Sequence, residues 1–291
     1  MATVGQIQSD ASAIGSNART EGRIFGLDRA QVLTLTFSLL AANALLSKIF
    51  SGIARDGLIY SILNTFEVSV IVWGGLYLGL KFARSVAPEP LTATDKAMTV
   101  GAVVACFLPL SPLTWPVMSV TAIYFIWASR QRAQTHMGWV MLAVTVPMFW
   151  SKQLFSVFSN FFLAIDASIV ASITGTARVS NVVAMPNGAG YMQIAAPCSS
   201  MANVSLALCC WVLFTQANNT RWRPRNILWC ALACLAVMSI NIFRISMIGY
   251  FPQHFDLLHG PIGSSVASWA SLIVVVIVCN YGVGRGKSAS F

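Results

Sequence analysis

Cys198, Arg244 and His259 are the residues of this 291-residue chain whose types could carry out covalent chemistry together. Cys198 stands at the mouth of one apolar stretch (Met201 to Ala217), Arg244 near the end of the next (Ile227 to Tyr250), and His259 in the short link before the last (Val266 to Tyr281). A thiol can become a nucleophile, and an imidazole can take its proton near neutral pH and return it later. A guanidinium cannot serve as a base, but it can hold a carboxylate or a developing oxyanion. Pro197 suits a helix start, so the thiol is expected at a helix N-terminus, where unpaired N–H groups favour the thiolate. Ser199 and Ser200 could cap that helix.

Four further residues are candidates for supporting roles: His254, Asp256, Asn241 and Asp166. His254 shares the link His254-Phe255-Asp256-Leu257-Leu258-His259 and competes with His259 as the base, while Asp256 could orient either imidazole. Asn241 lies three residues before Arg244, and Asp166 sits in an otherwise apolar segment. Charge at membrane depth is costly and is kept for a partner or a function. His136 has no chemical company.

The elements that must position these groups are membrane spans. Hydrophobic residues make up 56% of the chain and charged ones 9%, against about 25% charged in soluble domains. The net charge of +9 is spread between apolar runs without interleaved aromatics, which argues against a nucleic-acid surface. Of the seven cysteines, Cys106, Cys209, Cys210, Cys230, Cys234 and Cys279 fall inside apolar runs and behave as small hydrophobes. None has neighbouring His or Asp, so neither a metal nor another cofactor is expected.

The fold class expected is all-α and polytopic. Eight spans are drawn: Val32 to Phe50, Leu58 to Phe82, Met98 to Leu113, Trp115 to Ala128, Met137 to Trp150, Met201 to Ala217, Ile227 to Tyr250 and Val266 to Tyr281. Pro109, Pro112 and Pro116 blur the middle boundaries. With eight spans, thirteen basic residues fall on one side: Arg19, Arg23, Arg29, Lys81, Arg84, Lys96, Arg130, Arg132, Arg221, Arg223, Arg225, Arg285 and Lys287. Lys48, Arg55, Lys152 and Arg178 fall on the other, with Arg244 at its boundary. The positive-inside rule then makes both termini cytoplasmic and puts Cys198, Arg244 and His259 outside. Residues 1–30 are expected as a disordered cytoplasmic tail, 31–284 as one membrane domain and 285–291 as a second tail.

The longest outer link, Ser151 to Ser200, is expected to hold a re-entrant or interfacial helix over Leu154 to Ile173, followed by a small hairpin. Val179 to Ala184 and Tyr191 to Ala196 flank the turn signal Pro186-Asn187-Gly188 and would deliver Cys198 onto the catalytic helix.

The Ala196-Pro197-Cys198-Ser199 segment opening a span, Asn241-x-x-Arg244 in the next, and His259 followed four residues later by Gly263 together resemble the exosortase/archaeosortase family of membrane cysteine transpeptidases. The resemblance covers roughly Ile173 to Tyr281. It implies a sorting enzyme of the cytoplasmic (inner) membrane with Cys198 as nucleophile and Arg244 and His259 as its partners. Its partners would be exported proteins ending in a short motif, a transmembrane helix and a basic cluster. Cleavage beside the motif and transfer to a surface lipid or glycan acceptor would be the overall reaction, often tied to exopolysaccharide production. The common family form has Gly where this chain has Ser200.

Two alternatives use the same residues differently. A transporter or channel would employ Glu67 in the second span, Asp166 and the proline-broken segments as a cavity lining. A non-catalytic exopolysaccharide-assembly protein would need none of this chemistry.

Overall fold

The computed structural model describes residues 27–107, 113–188 and 190–288. Most of the expected N-terminal tail, Pro109, Pro112 and residues 289–291 lie outside the described residues. The chain divides into two compact units, Met1–Leu142 and Ala143–Phe291.

In the first unit, α1 (Arg29–Asp56) begins at a capping box in which Asp28 accepts from the Gln31 backbone and Gln31 reaches back to the Asp28 backbone. Arg29 and Ala30, expected in the tail, are therefore already helical and buried. Then come α2 (Leu58–Leu63), α3 (Val70–Arg84), α4 (Ala93–Phe107), α5 (Thr114–Trp127) and α6 (Arg132–Thr145). The expected second span is broken. Thr65, Phe66 and Glu67 all take positive φ in a tight 3-10 turn between α2 and α3, and Ser69 restarts the helix as its cap. Glu67 pairs there with Arg55 at 2.7 Å and is half-exposed, so it does not stand inside a helical span as the transporter alternative required.

A buried polar network closes one end of this unit. Arg29 Nε donates to Asp95 at 2.9 Å, and Arg29 Nη1 to Glu89 at 2.9 Å. Asp95 also accepts from the Thr92 backbone and hydroxyl and from the Tyr124 hydroxyl at 2.7 Å. Gln131 donates to Glu89 at 2.7 Å, and Arg29 Nη2 reaches the Ala128 carbonyl. The start of α1, the α3–α4 link and the α5–α6 link, three of the basic segments, are thus gathered at one end.

In the second unit, a π-helical segment (Val146–Trp150) leads into α7 (Ser151–Thr174). No loop separates the expected fifth span from the expected interfacial segment, since helix runs from Arg132 to Thr174 through a π segment and a kink at Phe158. Pro147 is absorbed because the wider π turn relieves its clash with the preceding turn. Ser151 Oγ donates back to the Pro147 carbonyl at 3.2 Å.

After Gly175 in the left-handed conformation come β1 (Arg178–Val179), β2 (Val182–Ala184) and β3 (Tyr191–Gln193), an antiparallel sheet in the order β1-β2-β3. The turn at Pro186-Asn187-Gly188 joins β2 to β3 as expected, pairing Ala184 with Tyr191. The expected first strand is instead folded in two by a turn at Ser180 (φ 54°) and Asn181. Val183 and Ile194 of this sheet join Leu163, Ala167 and Val170 of α7 in a buried apolar cluster. With them pack Ile242 and Ile245 of α9 (Pro224–Tyr250).

The remaining helices are α8 (Met201–Ala217), α10 (Phe255–His259) and α11 (Pro261–Ser288). At the α8–α9 link the Trp211 indole donates to the Asn226 carbonyl at 3.0 Å, and Trp229 lies edge-on to Tyr281. Arg221, Arg223 and Arg225 therefore sit at the end of these helices far from Cys198.

Four helices are long and apolar enough to cross a membrane: Arg29–Asp56, Arg132–Thr174, Pro224–Tyr250 and Pro261–Val283. Thr114–Trp127 and Met201–Ala217 are shorter apolar helices. Trp127, Val157, Trp269 and Ile277 are among the exposed apolar side chains of these helices.

Candidate active site

Pro197 seeds a single 3-10 turn, Ala196–Cys198, rather than the first turn of a long helix. Ser199 is extended, and α8 begins only at Met201. The thiol therefore stands outside the helix N-terminus where the sequence put it. Its chemical partner is a side chain instead: Cys198 Sγ lies 3.5 Å from His259 Nε2. Cys198 is half-buried against the α7–sheet–α9 cluster while His259 is exposed. The thiol is held by packing, and the imidazole is open to solvent.

His259 is aimed by two local devices. The Phe255 ring stacks on the imidazole, centroids 4.8 Å apart and planes at 10°, one turn earlier on α10. Gly263 lets the first turn of α11 close on the end of α10, since a Cβ there would run into the Leu257 and Leu258 carbonyls. Gly260 similarly admits the Asp256 carbonyl.

Asp256 is placed differently from its expected role. Its carboxylate makes no hydrogen bond to either imidazole among the described residues, and its backbone carbonyl accepts from Gly260 at 3.0 Å. His254 is exposed at the end of a separate 3-10 turn (Pro252–His254), with no contact to Cys198 among the described residues.

Asn241 is the hub of the backbone around the thiol. Its Nδ2 donates to the Cys198 carbonyl at 2.7 Å and to Ser200 Oγ at 3.1 Å. Its Oδ1 accepts a long bond, 3.4 Å, from Arg244 Nη2. Asn241 is buried, so each of these groups would otherwise be left unpaired at a cost of about 1–3 kcal/mol. Ser200 gains a task here that a glycine could not perform.

Asp166, on α7, is 3% exposed and accepts from the Ser200 backbone N–H at 2.9 Å. The cap of α8 thus comes partly from another helix, and partly from Ser199 Oγ, which accepts from Met201 N at 3.3 Å. The Ser200 hydroxyl makes no capping bond.

Arg244 reaches the thiol segment through Asn241. Its Nε–H is buried with no partner among the described residues. Arg244 thus shares Asn241 with the thiol segment and keeps one cationic donor unpaired among the described residues. Sequence patterning had no means of finding the roles of Phe255, Ser200 or the Asn241 amide. Each depends on contacts between elements, or on ring orientation within a five-residue helix.

The chemistry available is nucleophilic: a thiol, a base within reach, and an unpaired cationic donor. Among the described residues no group of three or more His, Cys, Asp or Glu could hold a metal ion. Comparison with protein-family models, with curated proteins and with solved structures gave no match to this chain.

Proposed function

We propose that the chain is a multi-pass membrane cysteine endopeptidase or transpeptidase, with Cys198 as nucleophile, His259 as acid–base and Arg244 as the oxyanion or carboxylate ligand. The observation that carries this reading is the 3.5 Å contact between Cys198 Sγ and His259 Nε2, across 61 residues of sequence. With Nδ1 protonated, Nε2 takes the thiol proton, and the thiolate attacks the scissile carbonyl carbon. The oxyanion that forms is met by the unpaired Arg244 Nε–H. Collapse breaks the C–N bond, and the leaving amine takes the proton from His259. Water, or an amine or hydroxyl acceptor, then attacks the thioester while His259 accepts its proton, and the thiol is regenerated.

The orientation proposed has eight crossings, cytoplasmic termini and the site on the outer face of the inner membrane. It is supported by the network that gathers three basic segments at one end of the first unit. It is supported too by the three arginines at the end of α8 and α9 far from Cys198. The substrates on this reading are exported proteins ending in a short motif, a membrane helix and a basic cluster, in keeping with the exosortase/archaeosortase resemblance.

The test is co-expression with a protein carrying such a C-terminal signal, following its size on a gel. Processing is expected with the wild type and lost with Cys198→Ala at equal protein level. Continued processing by Cys198→Ala would overturn the nucleophile assignment. A reporter inserted in the Pro186–Gly188 turn should be active only on the outer side, and activity on the cytoplasmic side would reverse the orientation.

A further inference from the structure

A groove runs along the second unit between α8 and the helix from Val146 to Phe158. It has two compartments that share Ser151 and Met201. The larger, of about 380 Å3, is walled by apolar side chains, among them Val146, Leu154, Val157 and Leu208. The smaller, of about 220 Å3, is lined by Ser151, Ser156 and Ser199 with Lys152, the one charged residue lining either compartment.

The groove exists because the backbone departs from regular helix at both of its ends. The π segment Val146–Trp150 swells the helix at one end, and Phe158 (φ −114°, ψ 24°) kinks it at the other. Between these two points the groove is lined on the α8 side by Met201, Ser205 and Leu208, successive turns of one face. Val157, 74% exposed, stands on its rim.

We propose that this groove is a binding site for one phosphate-bearing membrane lipid, whose alkyl chain fills the apolar compartment and whose head group is held at Lys152. Volume selects a chain rather than a helix. A methylene needs roughly the ~30 Å3 that a water occupies, so the apolar compartment takes about a dozen methylenes. An α-helix, about 10 Å across with its side chains, could lie over this open groove but not within it. Charge selects the head group: Lys152 is the one charged side chain lining either compartment, and its ammonium suits a phosphate. Asp166, the nearby buried carboxylate, does not line the groove and is engaged by the Ser200 N–H. The head-group compartment includes Ala196 and Ser199, so the bound lipid neighbours Cys198. The site does not depend on the reactivity of that thiol.

The experiment uses the full-length protein in phosphatidylcholine nanodiscs doped with phosphatidylglycerol that carries a photoreactive group in its acyl chain. Labelling is expected to concentrate in peptides covering residues 146–158 and 201–208. Lys152→Gln should lower labelling by the anionic probe about fivefold, while a phosphatidylcholine probe is unaffected. Val157→Trp should block both probes. Both substituted residues are exposed, and an unchanged size-exclusion profile checks the fold of each variant. Cys198→Ala should label as wild type, which separates this site from the catalytic reading. Labelling spread evenly over the lipid-facing helices would overturn the proposal. So would insensitivity to Lys152→Gln, or competition by inorganic phosphate, which would make it a site for the free ion.

Discussion

The side-chain amide of Asn241 donates to the backbone carbonyl of Cys198 at 2.7 Å, although 43 residues separate them. The bond ties α9 to the 3-10 turn that presents the thiol, and the same side chain receives Arg244. Asn241→Leu removes both donors and the acceptor while keeping volume. It is expected to leave the protein in the membrane at near-normal level but to slow processing by the equivalent of about 1–3 kcal/mol. Asn241→Asp keeps the acceptor for Arg244 and loses the donors to Cys198 and Ser200. Comparing the two rates tells which half of the amide matters, and wild-type rates for both would remove Asn241 from the site.

His259 and His254 make opposite predictions. His259→Ala should lower substrate turnover by about 10²–10⁴, the usual contribution of a positioned acid–base group. His254→Ala should process at close to the wild-type rate, because among the described residues it is His259, not His254, that is hydrogen-bonded to the thiol. The pair is decided by time courses at equal expression. A reversed pattern would move the base to His254.

Arg244→Lys keeps a positive charge but loses the planar set of donors that includes the buried Nε–H. Turnover should fall by about 10²–10³, as when one oxyanion donor is removed. A lysine variant with full activity would show that only charge is needed there, and would favour carboxylate binding at long range over oxyanion stabilisation.

Phe255 and Gly263 act on His259 from opposite sides. Phe255→Ala removes the stacked ring and should cost about 0.5–1.5 kcal/mol in transition-state stabilisation, with Phe255→Tyr restoring most of it. Gly263→Ala introduces a methyl group against the Leu257 and Leu258 carbonyls and should displace the imidazole. Modification of Cys198 by an alkylating reagent, read at several pH values, should lose its dependence on the imidazole in Gly263→Ala. An unchanged profile would count against His259 as the proton acceptor.

The polar network of the first unit predicts a pH effect with a definite sign. A hydrogen bond from Gln131, followed by one from Arg29, holds the Glu89 carboxyl below its ordinary value of 4.5. The stabilisation from this group is therefore complete above about pH 4.5 and is lost as pH falls through its folded-state value. Thermal unfolding in detergent should show the loss, and Glu89→Gln should weaken it. Asp95→Ala is more severe, because it takes from buried Arg29 its fully buried carboxylate partner and leaves Glu89 alone to pair it. Equal melting temperatures for Asp95→Ala and wild type would contradict the network's role.

The sequence showed the apolar helices well, because lipid imposes long runs with few charges. Met201–Ala217 is bounded as the apolar run predicts. The breaks were harder to see. Thr65 to Glu67 bear no glycine or proline, yet all three take left-handed backbone between two apolar helices. The fifth span was drawn to end at Trp150, but a π segment carries the helix through. At the site, residue types nominated Cys198 and His259, and the fold brings them together. Asp256 was nominated on proximity in sequence, which says nothing of where a carboxylate points on a five-residue helix. Phe255, its immediate neighbour, makes the contact instead.

The knot around Arg29 also dictates an order of assembly. Its partners Glu89, Asp95 and Ala128 lie 60, 66 and 99 residues further along the chain. When α1 and α3 have been made, the head of α1 still holds a guanidinium without these partners. That charge finds its partners only when the α3–α4 link, α4 and the end of α5 have emerged. The polar head of α1 is thus completed only after the chain has been made as far as Ala128.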